Sequence, residues 1–147
     1  MHRLFLLALT AGIAFPIASC SAKKETSLEN EPVVVETLIS ATESWNGDPY
    51  KYPSGIAQMT LQRIIAQPGF KTPLHFHSQP GIAYLVKGNL SCGTVDGKFL
   101  KVAPGDSFAA PQDTVHYCES VGKEAALVFV ASAGVEGEKL TIPYPNE

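Results

Sequence analysis

Residues 74–88 read LHFHSQPGIAYLVKG. His75 and His77 stand two apart, and residues at i and i+2 of a strand share a face. If LHFH is extended, both imidazoles address one spot. Ser78-Gln79-Pro80-Gly81 then bends the chain, and IAYLV (82–86) reads as a second strand, closed by Lys87-Gly88-Asn89. No carboxylate stands between His77 and Gly88, although a metal site at the paired histidines would be expected to recruit one.

The same grammar extends in both directions. VVVETLI (33–39) is rich in β-branched residues, and SATESWNGDPYKYPSG (40–55) carries the Asn-Gly, Asp-Pro and Pro-Ser-Gly signals of a loop. IAQMTLQRIIA (56–66) alternates, with Ala57, Met59, Leu61 and Ile65 on one face and Arg63 interrupting it. After residue 88 come LSCGTV (90–95), KFLKV (98–102), SFAAP (107–111), VHYCES (115–120) and AALVFVAS (125–132). Between them lie Asp96-Gly97, Pro104-Gly105-Asp106 and Val121-Gly122-Lys123; Asp-Gly between alternating runs is a strong hairpin signal. No stretch after the N-terminal apolar run shows a helical stripe. The pattern predicts an all-β domain, a single antiparallel sandwich or barrel. TIPYPNE (141–147) reads as a surface strap.

The chain has 147 residues, 45% hydrophobic and 17% charged, and a formal charge of −3 with the signs mixed, which suits one globular domain. There is no basic stripe of the kind a nucleic-acid binder needs, so no nucleic-acid partner is expected. The N-terminus is distinctive. Arg3 precedes an apolar run from Leu4 to Ala18, short for a spanning helix and fitting a secretory leader. Ile17-Ala18-Ser19-Cys20 resembles a bacterial lipobox. That resemblance implies a signal peptide over 1–19, lipidation at Cys20 and a polar tether over 20–32. With Ser21 after the cysteine, it implies an outer-membrane anchor facing the periplasm. Cleavage would remove Arg3 and take the formal charge to −4. The other reading is an ordinary secreted protein with Cys20 incidental.

Three histidines remain after the leader: His75, His77 and His116. Gly69-FKTPL-His75-F-His77-SQP-Gly81-IAYLVK-Gly88 resembles the first cupin motif, and Gly105-DSFAA-Pro111-Gln112-Asp113-TV-His116-YCE-Ser120 resembles the second. The likeness extends over roughly 33–142, leaving 143–147 as a tail, and is to small single-domain bacterial cupins. It implies an all-β cupin-type antiparallel barrel, or jelly roll, with His75, His77 and His116 holding a divalent metal. Three positions depart from the pattern: Gly81 replaces the glutamate, Asp113 the second motif's inner glycine, and Ser120 its terminal asparagine. Asp113 falls in a turn, where aspartate tolerates unusual φ. Gly81 changes the ligand set itself, leaving three imidazoles and a more cationic centre.

Neutral imidazole suits Fe, Zn, Ni and Cu, and Mn less well. Three histidines with open positions describe a reactive site rather than a closed structural one. Such a centre favours small anionic ligands, and three-histidine cupins include dioxygenases. Gln79 is expected beside the site if the strand persists past His77, and Tyr84 and Tyr117 are candidates to orient a substrate. Cys118 should share the inward face of His116, and Cys92 should face inward with Leu90. Three readings of that pair stand open: a disulfide, two buried thiols, or a thiolate near the metal. The functions in view are a metal-dependent enzyme, dioxygenase- or isomerase-like, a non-catalytic metal- or small-ligand-binding lipoprotein, and a degenerate structural cupin. A homodimer through Val33–Ile39 is a further expectation.

Overall fold

The computed structural model describes residues 32–145. The expected leader, Cys20 and most of the tether lie outside the described residues, as do the last two residues. The chain divides into two units, Met1–Val35 and Glu36–Glu147, and every strand belongs to the second. No helix occurs among the described residues, so none is long and apolar enough to cross a membrane.

Nine strands form: β1 Ala57–Ala66, β2 His75–Phe76, β3 Gly81–Lys87, β4 Asn89–Thr94, β5 Phe99–Val102, β6 Ser107–Ala110, β7 His116–Val121, β8 Ala126–Val135 and β9 Ile142–Pro143. They build a four-stranded sheet in the order β1-β8-β3-β6 and a five-stranded sheet in the order β5-β4-β7-β2-β9. Every paired ladder is antiparallel. The expected all-β architecture of hairpins and crossovers is therefore present, with both sheets presenting one face to a shared interior.

Alternation sets what that interior contains. On β3, Gly81, Ala83 and Leu85 are buried while Ile82 and Val86 are exposed. Leu85, Leu90, Cys92, Val102, Ala126 and Val128 complete the core with Ala83, and Trp45, Phe108 and Val130 pack against it. Leu85 is fully enclosed, which stabilises the fold by about 2 kcal/mol relative to exposure. The β3–β4 connection requires glycine. Gly88 has φ +74°, and a Cβ there would lie 2.7 Å from both Ala125 O and Ala126 Cα.

The loop before β1 is tied down by polar contacts. Trp45 N–H donates to Ala109 O at 3.0 Å, and the Tyr50 hydroxyl reaches Gly81 O at 3.0 Å and Ala110 O at 2.6 Å. Burial pushes the Tyr50 phenol up to about 12.

Two expectations need correction. Residues 33–39 form no strand and pair with nothing among the described residues. β-branched side chains favour a strand only where a neighbouring edge is available, and Leu38 is left exposed. On β1, where the sequence assigned neither face to the interior, Met59 and Leu61 are 73% and 70% exposed, while Gln62, Ile64, Ile65 and Ala66 line the interior cavity. The C-terminal strap supplies a strand, because Pro143 and Ile142 pair with His75 and Phe76.

Candidate metal centre

His75 lies on β2, directly opposite His116 on β7 in the antiparallel register. His77 follows two residues after His75, with only Phe76 between them. The three rings gather tightly: centroids are 4.4 Å apart for His75–His116 and 5.0 Å for the other two pairs. One ring nitrogen from each lies within 4.8 Å of the others.

Hydrogen bonding fixes which nitrogen that is. His75 Nδ1 lies 2.8 Å from Pro73 O, His77 Nδ1 2.6 Å from Leu140 O, and His116 Nδ1 2.8 Å from Thr114 O. A carbonyl oxygen only accepts, so each Nδ1 carries the proton and donates. In the neutral ring Nε2 is then a bare lone pair, the form that binds a metal ion, and backbone carbonyls are the partners that commonly orient metal-binding imidazoles. The residues present therefore fit a divalent cation. Burial reinforces this by disfavouring the imidazolium: it lowers His77, and it lowers the 97%-buried His116 to about 4, with the other histidines adding a smaller push.

A second layer holds the carbonyls in place. The Gln79 amide donates to Leu140 O at 2.9 Å, the same oxygen that receives His77. Gln79 is thus buried beside the centre and acts on it through Leu140. The Thr114 hydroxyl donates to Asp48 Oδ2 at 2.7 Å, and together with the Asn46 amide it holds the Asp48 carboxyl below its usual range. The halves of the site are also joined directly. Asp113, at φ 54°, donates its N–H to His77 O at 2.7 Å, so the aspartate sits in a left-handed turn. Gln112 Nε2 reaches Ser78 O at 2.9 Å.

The histidines open onto a cavity of about 410 Å³ that runs between the sheets. Its wall is mainly apolar, and among the described residues lining it none is Asp, Glu, Lys or Arg. Gly81 is part of the wall. A Cβ there would stand 3.4 Å from Ala131 O and Ser132 Oγ, so a side chain would have room at its root.

The remaining expectations divide. Cys92 and Cys118 face each other across β4 and β7 and are joined by a disulfide, which replaces both the free-thiol and the thiolate readings. Cys118 lines the cavity as part of that bridge and has no free sulfur to offer a metal or substrate. Tyr84 alternates with buried Ala83 and Leu85, so it faces out of the barrel and takes no part in the cavity. Tyr117 likewise faces out, beneath the Lys71 ammonium 3.7 Å from its ring centroid. Missing from the sequence reading were the carbonyls of Pro73, Thr114 and Leu140. No side-chain type signals such a role.

Comparison with known proteins agrees with this geometry. The family model described as "Cupin domain" matches residues 62–132. The fold resembles a cupin 2 domain-containing protein from Halorhodospira halophila, with 17% identity, 60% of this chain and 59% of that chain covered, and a TM-score of 0.50. It also resembles the DMSP lyase DddQ from Ruegeria pomeroyi DSS-3, with 18% identity, 69% and 49% coverage, and a TM-score of 0.51. An oxalate oxidase in complex with glycolate shares 26% identity over 52% of this chain and 42% of that one, with a TM-score of 0.46. The chain thus spans roughly two fifths to three fifths of these proteins' lengths. No curated protein matches it. The sequence motifs, the two-sheet antiparallel barrel and the family match agree: the chain carries a small domain of the cupin superfamily.

Proposed function

We propose that this protein binds a divalent metal ion through Nε2 of His75, His77 and His116 and uses the centre to hold a small organic anion in the adjoining cavity, as a metal-dependent enzyme of dioxygenase or isomerase type. The observation that carries this reading is the common state of the three imidazoles, each with its Nδ1–H committed to a backbone carbonyl. A purely structural cluster has no need of three bare lone pairs meeting at one point in a partly dry site, and leaving them unpaired there is unfavourable.

When bound, the ion supplies positive charge and Lewis acidity. The protein's own groups do the rest. Leu140, Pro73 and Thr114 hold the rings, and Gln79 and Asp48 hold two of those carbonyl-bearing residues. Gly81 leaves a position beside the histidines without a protein carboxylate. An incoming enolate, thiolate or carboxylate then meets the charge that glutamate would otherwise neutralise. The apolar wall excludes water from the rest of the molecule and strengthens that attraction.

One observation favours a non-catalytic metal- or ligand-binding role as the second reading. Among the described residues lining the cavity, no carboxylate or tyrosine stands ready as a general base. Titration of the metal-free protein with Fe²⁺, Zn²⁺ and Ni²⁺ tests the common part of both readings. One equivalent should bind, and His77→Ala, which removes a ligand outright, should weaken binding by more than the roughly 10- to 100-fold that loss of an outer partner costs. Turnover of candidate enolizable acids by the loaded protein then separates enzyme from binder.

The cellular setting belongs to the same proposal. Ile17-Ala18-Ser19-Cys20 supports lipid anchoring at Cys20 in a bacterial envelope, most consistently the periplasmic face of the outer membrane. Cys20→Ala should move the protein from the membrane fraction to the soluble one; unchanged partitioning would refute the anchor. Pairing of two copies is supported by β1, whose outer edge is unpaired among the described residues and whose Met59 and Leu61 are exposed. Sedimentation should give a dimer that Leu61→Lys dissociates, and a monomer at all concentrations would refute it.

A further inference from the structure

The cavity has two unlike ends. His116, Cys118 and Ser120 project from one face of β7 into it, and all three line it. At a rise of about 3.3 Å per residue, Ser120 lies about 13 Å along the strand from His116. Beside Ser120 the wall is apolar: Phe70 and Leu90 both contribute to it. Leu90 is the direct cross-strand partner of Ser120.

Within that apolar end sits one orphaned hydroxyl. Ser120 is 1% exposed, and its Oγ has no hydrogen-bond partner. Its backbone is fully engaged, with its N–H donating to Phe70 O at 2.9 Å and its carbonyl accepting from Gly69 N–H at 2.8 Å. The side chain is therefore held rigidly in the wall while its hydroxyl goes unused. Buried polar groups are nearly always paired, so an unpaired one lining a cavity points to a partner that arrives with the ligand. Two other polar side chains in the cavity are committed elsewhere: Thr72 Oγ1 accepts from Cys118 N–H, and Gln79 bonds Leu140 O and Ser78 Oγ.

We infer that Ser120 is a specificity-determining contact, and that the ligand is an elongated, mainly apolar organic anion. Its charged head lies at the histidines, and a hydroxyl or carbonyl oxygen at its far end bonds to Ser120 Oγ. This rests on the metal-centre reading above, which supplies the anchor for the anionic head. The span between the two polar ends suits an arylalkanoate with a para substituent, or a medium-length chain with a terminal oxygen. Compact acids with no apolar body leave the Ser120 end empty and the hydroxyl unpaired.

The test is a two-by-two comparison on the purified chain loaded with Zn²⁺, with metal content verified by elemental analysis. Affinities for para-hydroxyphenylpropanoate and for phenylpropanoate are measured by calorimetry for the natural chain and for Ser120→Ala. The natural chain should prefer the hydroxylated probe about five- to tenfold, the value of one neutral hydrogen bond, and Ser120→Ala should abolish that preference. Because Oγ has no partner in the protein, Ser120→Ala should leave the melting temperature unchanged or raise it; a clear fall would mean the hydroxyl is engaged within the resting fold and would overturn the inference. A preference that survives in Ser120→Ala, no preference in the natural chain, or failure of zinc-loaded protein to bind either probe would also overturn it while leaving the metal site standing. If no zinc is taken up, the histidine reading fails instead. The same pair of affinities on the metal-free chain then decides the Ser120 contact: a preference lost in Ser120→Ala upholds it, and absence of binding overturns it.

Discussion

Replacing His116 by glutamine removes a titrating group from the deepest part of the site and leaves a polar amide in its place. The consequence is a change in how stability depends on pH in the metal-free protein. In the folded chain burial lowers His116 from its ordinary 6.5 to about 4. Above the ordinary value neither the folded nor the unfolded state binds the proton, and the group contributes nothing to pH dependence. As pH falls below 6.5 the unfolded chain takes up a proton that the folded chain refuses, so folded stability declines. The decline levels off below about 4, where both states are protonated. Linkage puts the accumulated loss at about 2.5 kcal/mol by roughly pH 4.5, measured against roughly pH 7.5. Urea unfolding with a chelator present, at those two conditions, measures it. His116→Gln should show a drop between the two conditions smaller by about that amount, whatever its absolute stability. Parallel pH profiles for the two proteins would refute the claim that His116 is held neutral by burial.

Three other outcomes follow from the same structure. Gly81→Glu, whose Cβ has room beside Ser132, should tighten divalent-metal binding about tenfold or more and weaken retention of anionic ligands; unchanged affinities for both would show that position 81 does not face the ion. Reducing the Cys92–Cys118 bridge, which closes a loop with a sequence separation of 26, should cost about 3 kcal/mol in chemical denaturation, and a thiol count under denaturing, non-reducing conditions should find neither cysteine free. Ultraviolet titration should find one tyrosine ionising near 12 that disappears in Tyr50→Phe. That group holds its proton between about 10 and 12 only when folded, so its contribution to stability should fall away across that interval as pH rises.

Much of this molecule was legible because period-two alternation and turn residues are local signals. Asp96-Gly97 and Gly88 marked reversals that the structure contains, and β3 through β8 begin and end within about three residues of the predicted segments. The histidine trio was legible because its spacing matches a known pattern, and Asp113 proved to occupy the left-handed turn expected of it. What remained hidden is non-local. The sequence alone could not say which face of β1 turns inward, because both faces carry apolar residues and only pairing with β8 decides between them. VVVETLI has every local mark of a strand, but the described residues offer it no edge to join. Tyr84 looked available until register placed it on the outer face. The carbonyls of Leu140 and Thr114 carry no residue-specific signature, so the groups that orient His77 and His116 appear only once the chain is folded.

Metal content is the sharpest check on the three-histidine centre. The purified chain, prepared without added chelator, and a variant in which His75, His77 and His116 are all alanine should be compared by elemental analysis. Close to one equivalent of a divalent transition metal is expected in the natural chain and almost none in the variant. Equal metal content in the two, or none in the natural chain even after incubation with Fe²⁺, Zn²⁺ or Ni²⁺, would contradict it.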